Sequence, residues 1–126
     1  MARGLNKVMI IGNLGSDPEM RYTPTGRPVT SFSVATSRNW VTSEGEQREA
    51  TEWFRVVAWE NLAEICNRYL RKGSRVYVEG RLQTRSWENQ GQRHYRTEVV
   101  ANEMVLLDSR EPRLAEEKGV EEEYMV

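Results

Sequence analysis

Apolar and polar residues alternate along this chain in short stretches, and the breaks between the stretches carry turn formers. Val8-Met9-Ile10-Ile11 is a β-prone run that meets Gly12-Asn13-Leu14-Gly15-Ser16-Asp17-Pro18, which predicts a first strand and its exit. Thr23-Pro24-Thr25-Gly26-Arg27-Pro28 reads as a turn. Beyond it Phe32, Val34 and Thr36 alternate with Ser31, Ser33, Ala35 and Ser37, a second strand ending near Arg38. Residues 39 to 52 are polar around Glu44-Gly45-Glu46, which predicts a mobile hairpin loop. From Trp53 to Trp59 the two parities differ in kind: Phe54, Val56 and Ala58 make a core face, while Trp53, Arg55, Val57 and Trp59 point the other way. Two indoles beside a guanidinium are odd for a solvated face and too polar for a dry interior, so this parity predicts a binding surface.

The period then changes. Leu62, Ile65, Cys66, Tyr69 and Leu70 form one stripe of an amphipathic helix, with Arg71-Lys72 complementing its C-terminal dipole and Gly73 as its left-handed stop. Alternation resumes from Arg75 to Trp87, with Val76, Val78, Gly80, Leu82 and Thr84 on the core face and Gly80 marking a bulge or sharp bend. Glu88-Asn89-Gln90-Gly91-Gln92 turns the chain, and His94 to Leu107 returns as a last strand. The result is an all-β domain with one helix. Five strands with a helix between the third and fourth predict the Greek-key barrel of the OB-fold, whose open face binds oligonucleotides or oligosaccharides.

Composition at first argues against a nucleic-acid ligand, because 18 Lys+Arg stand against 19 Asp+Glu for a net charge of −1. The balance is uneven along the chain. Residues 111 to 126 hold six Glu and two bases, net −4, so residues 1 to 110 hold sixteen bases against thirteen acids, net +3. This division predicts a barrel domain over residues 1–110 and a short acidic disordered tail over 111–126. Of the bases, fifteen are Arg, which suits planar stacking and phosphate forks.

Catalytic signatures are absent: the sequence holds no phosphate-binding loop, no nucleophile elbow and no paired-histidine metal motif. His94 lies beside a glycine turn and reads as a surface histidine, and Cys66 lies on the helix stripe as inert core. One Cys and one His are too few for a zinc site, so neither metal nor cofactor is expected, and we read the chain as a non-enzyme. Met1 to Asn6 lacks an apolar signal core and no long apolar run exists, which predicts a cytoplasmic protein without a membrane partner. The four tryptophans remain. Trp40 and Trp87 sit in or beside polar excursions, and Trp53 and Trp59 share a face with Arg55. Indoles among guanidiniums suit unpaired bases, each stack being worth about 1–3 kcal/mol.

Arg3-Gly4-Leu5-Asn6-Lys7-Val8, Gly12-Asn13-Leu14-Gly15-Ser16-Asp17-Pro18-Glu19, Thr51-Glu52-Trp53, Arg55-Val56-Val57, Tyr69-Leu70-Arg71-Lys72-Gly73-Ser74 and Val78-Glu79-Gly80-Arg81-Leu82 closely resemble the bacterial single-stranded DNA-binding family, in order from about residue 3 to residue 107. The resemblance implies sequence-independent binding and protection of single-stranded DNA in replication, recombination and repair, by a homotetramer, with a dimer as the alternative. It puts stacking on Trp40, Trp53, Trp59 and Trp87, and phosphate contacts on Arg3, Lys7, Arg21, Arg55, Arg71, Lys72 and Arg85. It implies subunit contacts at Phe54, Tyr77 and Glu79. Family members commonly end in a long linker and an acidic segment that recruits replication and repair enzymes. Here the end is Glu121-Glu122-Glu123-Tyr124-Met125-Val126, read either as a partner-binding tail or as an acidic solubilising one. An accessory barrel acting through protein contacts and an RNA-binding barrel are the competing readings.

Overall fold

In the computed structural model, which describes residues 3–108, the chain runs β1 (Val8–Leu14), β2 (Glu19–Tyr22), β3 (Pro28–Val41), β4 (Gln47–Trp59), α1 (Glu60–Tyr69), β5 (Arg75–Asn89) and β6 (Gln92–Leu106). The expectations for residues 111–126, from Glu121 to Val126 among them, lie outside the described residues. Neighbouring strands follow the order β1-β5-β6-β4-β3-β2, and a further β1–β3 pairing closes five of them into the OB barrel. β4 and β6 run parallel, Val56 opposite Val99 and Val57 opposite Val100, and the other pairings are antiparallel.

Alternation explains the interior. Phe32 and Val34 of β3, Val56 and Ala58 of β4, and Val76 and Val78 of β5 all point inward and are buried. Full burial of the Phe and Val side chains among these stabilises the fold by about 1.5–3 kcal/mol each relative to exposure. The helix closes one end of the barrel with Ala63, Cys66 and Leu70, and Thr30 on β3 fastens it by donating its hydroxyl to the Ala63 carbonyl at 2.7 Å. Burial pushes the Cys66 thiol up to about 12, which keeps it protonated and unreactive in the folded state.

Several expected boundaries move, each for a physical reason. β1 continues through Gly12-Asn13-Leu14, because these residues pair with Val76, Arg75 and Val34 instead of turning. The expected four apolar residues are only its first half. β2 is an extra short strand beside β3, with Glu19 opposite Ser31 and Tyr22 opposite Pro28. With it counted, the helix lies between β4 and β5. Ile65 is exposed and Ala63 takes the buried place, which rotates the apolar stripe of the helix. Gly73 is not the helix stop either: the helix ends on an extended Leu70, and Gly73 adopts its positive φ in the following turn, where its N–H reaches the Leu14 carbonyl.

The largest correction concerns residues 39 to 52. They form no irregular loop, since the β3–β4 ladder continues from Thr36 opposite Glu52 to Val41 opposite Gln47. Its turn is knitted by the Thr42 hydroxyl oxygen, which accepts from the N–H groups of Glu44 and Glu46. β5 and β6 likewise run past the barrel to a two-residue turn, Gln90-Gly91, with positive φ at both residues as primed hairpins require. Leu82 and Thr84 are therefore exposed instead of core, because at their level the ribbon has left the barrel. The departure point is Gly80. Opposite it β6 carries an extra residue, Asn102, and a Cβ on Gly80 would collide with the Val100 backbone, so only glycine lets the bulged strands meet.

Candidate nucleic-acid interface

The outward parity of β4 builds a groove. Arg55, Val57 and Trp59 meet Arg21 of β2, Val29 and Ser31 of β3, Gln83 and Arg85 of β5, and Glu98 and Val100 of β6. Val57 and Val100 sit opposite each other as a buried apolar floor. The walls are polar and cationic. Glu98, only 4% exposed, accepts from Arg55 Nε at 3.0 Å, from Arg85 Nε at 3.1 Å and from Arg85 Nη2 at 3.2 Å. A buried carboxylate is tolerable only with such charge-assisted partners.

The four indoles occupy different settings. Trp59 lies at the β4–α1 junction with the Arg27 guanidinium 4.6 Å over its ring, and Arg27 is held there by Glu60, Nε to Oε2 at 2.6 Å. Glu60 adopts φ 57°, a left-handed conformation that costs a non-glycine residue about 1 kcal/mol or more. Trp53 is 60% exposed and rests on the backbone of Gly15, where a side chain would overlap the indole. Trp87 stacks on His94, its cross-strand partner, at 5.6 Å and 23°, with the guanidiniums of Arg85 and Arg96 5.7 and 5.8 Å from its centroid. Trp40 stands under the Arg38 guanidinium at 4.5 Å. Strand alternation gives Trp53, Trp59 and Arg55 one parity, and Trp87 the parity of Arg85. Trp40 has the other parity, that of Phe32 and Val34, on the free β3–β4 ribbon.

Of the seven expected phosphate-contacting cations, the fold brings Arg21, Arg55 and Arg85 into the groove. Arg3 is exposed in the segment preceding β1. Arg71 and Lys72 lie in the turn after α1, where Arg71 Nη1 donates to the Arg68 and Leu70 carbonyls and the Lys72 N–H donates to Asp17. Lys7 sits against Glu79, Nζ to Oε2 at 3.0 Å, among the expected subunit-contact residues.

Tyr77 and Glu79 belong to the outward wall of β1, β5 and β6, opposite Ile11 and Met9 in the ladder. Tyr77 donates its hydroxyl to Glu79 Oε1 at 2.6 Å. That bond raises the Tyr77 hydroxyl above its ordinary value and, with Lys7 beside it, holds the Glu79 carboxyl below the usual carboxylate range. Around this pair Met9, Ile11, Val105 and Leu107 are all exposed. Phe54 is elsewhere: it points inward opposite Val34 and packs half-buried against the core.

Arg27, Arg38, His94, Glu98 and Gly15 were not anticipated as parts of these settings. For Arg38 the signal was available, since residues two apart on a strand share a face with Trp40. His94 and Arg96 follow from counting back around the Gln90-Gly91 turn. Arg27 and Glu98 acquire their roles only through partners distant in sequence. Among the described residues there is no group of three or more His, Cys, Asp or Glu that could hold a metal ion, and no helix is long and apolar enough to cross a membrane.

Residues 5–107 match the model of the "Single-strand binding protein family". The "Single-stranded DNA-binding protein 1" of Chlorobaculum tepidum is 53% identical over 113 residues, covering 88% of this chain and 70% of that protein. Two solved structures are similar to most of the chain. A Plasmodium falciparum SSB in complex with ssDNA gives a TM-score of 0.78 at 36% identity, covering 86% of this chain and 99% of the other. A deletion mutant of the single-stranded DNA-binding protein from Thermus aquaticus gives 0.76 at 37%, covering 88% and 54%.

Proposed function

We propose that this chain, which belongs to the single-strand binding protein family, binds single-stranded DNA without regard to sequence, stacking bases on Trp40, Trp53, Trp59 and Trp87 and neutralising phosphates with surrounding Arg and Lys. The observation that carries the reading is one groove on an OB barrel that joins an apolar floor, Val57 and Val100, to Arg21, Arg55 and Arg85 and to the Trp59 indole, on the architecture whose open face takes oligonucleotides. The structural likeness to a family member in complex with ssDNA supports it.

Stacking requires unpaired bases, so duplex DNA is a poor ligand, and no step of chemistry is assigned to the site. The role that follows is protection of exposed strands during replication, recombination and repair in the cytoplasm. The exposed Met9, Ile11, Val105 and Leu107 around Tyr77 and Glu79 support self-assembly through the β1/β5/β6 wall, and we assign the assembly as a homotetramer. For the acidic terminus, Glu121 to Val126, recruitment of replication and repair enzymes is the corresponding proposal, testable by pull-down with a chain ending at residue 110.

Adding poly(dT) at low salt quenches tryptophan fluorescence, with an affinity that falls with salt at a log–log slope of about −0.7 for each phosphate neutralised. Unchanged fluorescence at low salt would sink the reading. Matched RNA competing equally would turn it toward an RNA-binding barrel.

A further inference from the structure

Two of the cations expected to meet phosphate, Arg55 and Arg85, are not free hooks. Both Nε–H groups are spent on the same buried carboxylate, Glu98, which takes one of its two hydrogen bonds from Arg85 through Nη2. Three charges thereby sum to +1 at the centre of the groove. The consequences are geometric as well as electrostatic. A guanidinium tied by its Nε edge is locked in plane and presents only its remaining Nη edge and flat face outward. The surface beside these planes is the apolar floor of Val57 and Val100, flanked by the Trp59 indole. Flat, weakly charged, apolar-backed surroundings suit a nucleobase better than a hydrated phosphate.

We propose that Glu98 is a positioning residue that fixes Arg55 and Arg85 as a half-neutralised planar pair directed at the bases of a bound strand, leaving phosphate neutralisation chiefly to cations outside this triad. The inference rests on the single-strand reading above and deepens it. Glu98 touches no strand itself; it decides what the two arginines do.

The test is a salt series of poly(dT) titrations on the full-length chain, comparing wild type with Glu98→Gln and Glu98→Asp and recording thermal unfolding of each. Removing the buried charge frees one cation for phosphate, so Glu98→Gln steepens the log–log slope by about 0.7. At 1 M salt, where the ionic part is screened, its affinity falls about fivefold, the scale of one lost oriented hydrogen bond. Glu98→Asp keeps the charge but shortens the reach, so it retains the wild-type slope while losing affinity at 1 M salt. A purely structural carboxylate would lower the melting temperature of Glu98→Gln and leave its slope where it was, and that result overturns the proposal. If Glu98→Gln does not fold, Glu98→Asp decides, because a steepened slope with the charge still present contradicts the mechanism. The two levels separate cleanly: a wild type that never quenches refutes the single-strand reading, whereas a binding wild type with an unchanged Glu98→Gln slope refutes only the role of Glu98.

Discussion

Replacing Gly15 with alanine should weaken DNA binding through Trp53 while leaving the fold nearly as stable. A Cβ on Gly15 would lie 2.5 Å from Trp53 Cζ3 and 2.8 Å from Cη2. Ordinary carbon contacts need about 3.5–4.0 Å, so the indole must retreat by about 1 Å. It has room to do so, because Trp53 is largely exposed. Gly15 does not adopt a positive φ, so the backbone accepts alanine. Stiffening of the unfolded chain contributes about 0.4–1 kcal/mol of stability, which offsets most of the cost of moving the ring. Binding has no such compensation. A base stack is worth about 1–3 kcal/mol, and a displaced ring that keeps half of it costs about 1 kcal/mol, roughly fivefold in Kd. The assay is a double-mutant cycle of poly(dT) affinity over wild type, Gly15→Ala, Trp53→Ala and the pair. If the glycine acts by seating the indole, Gly15→Ala has almost no effect once Trp53 is gone, a coupling of about 1 kcal/mol. An undiminished cost in the Trp53→Ala background refutes the reasoning, as does a Gly15→Ala protein with wild-type affinity.

Two further outcomes test other parts of the molecule. Ile11→Glu puts a charge into the exposed apolar wall beside Tyr77, so sedimentation should show a smaller assembly with the barrel still folded, and an unchanged mass would remove that wall from the subunit contact. Cys66 has a folded pKa raised from 9.0 to about 12, so its contribution to stability is complete below pH 9 and is lost progressively between pH 9 and 12 as the unfolded thiol ionises first, at up to about 1.4 kcal/mol per pH unit. Urea unfolding across that window should therefore fall less steeply for Cys66→Ala than for wild type, and equal slopes would contradict the burial argument.

The parts of the fold legible in the sequence were those where burial imposes a period. Phe54, Val56 and Ala58 had to face inward, so Arg55 and Trp59 had to share the other side, and the groove follows from that parity with the neighbouring strands. The stretch from Asn39 to Glu52 gave no such signal, because backbone hydrogen bonds hold a two-stranded ladder together without asking its side chains to be apolar. Gly12-Asn13-Leu14 misled for the opposite reason: turn-prone residues were drawn into a strand by pairing on both edges. Residue type and resemblance name the four indoles as candidates, but not what lies behind them. Glu98 is one acid in a Thr97-Glu98-Val99-Val100 run, and its burial is decided by Arg55, 43 residues away, and Arg85, 13 residues away. Local pattern carries no information about such closures.

The backing of the indoles has a consequence for motion along a strand. Trp53 has glycine backbone behind it, and Trp59 and Trp40 each have a guanidinium over the ring, so each has one occupied side. A base resting on a ring of this kind is held from one side and is not pinched between two. Such a base leaves by slipping sideways, breaking a single contact worth a few kcal/mol at most, while the others hold. On the stacking proposed above, a strand is passed along nucleotide by nucleotide, each base leaving its ring while its neighbours stay in place.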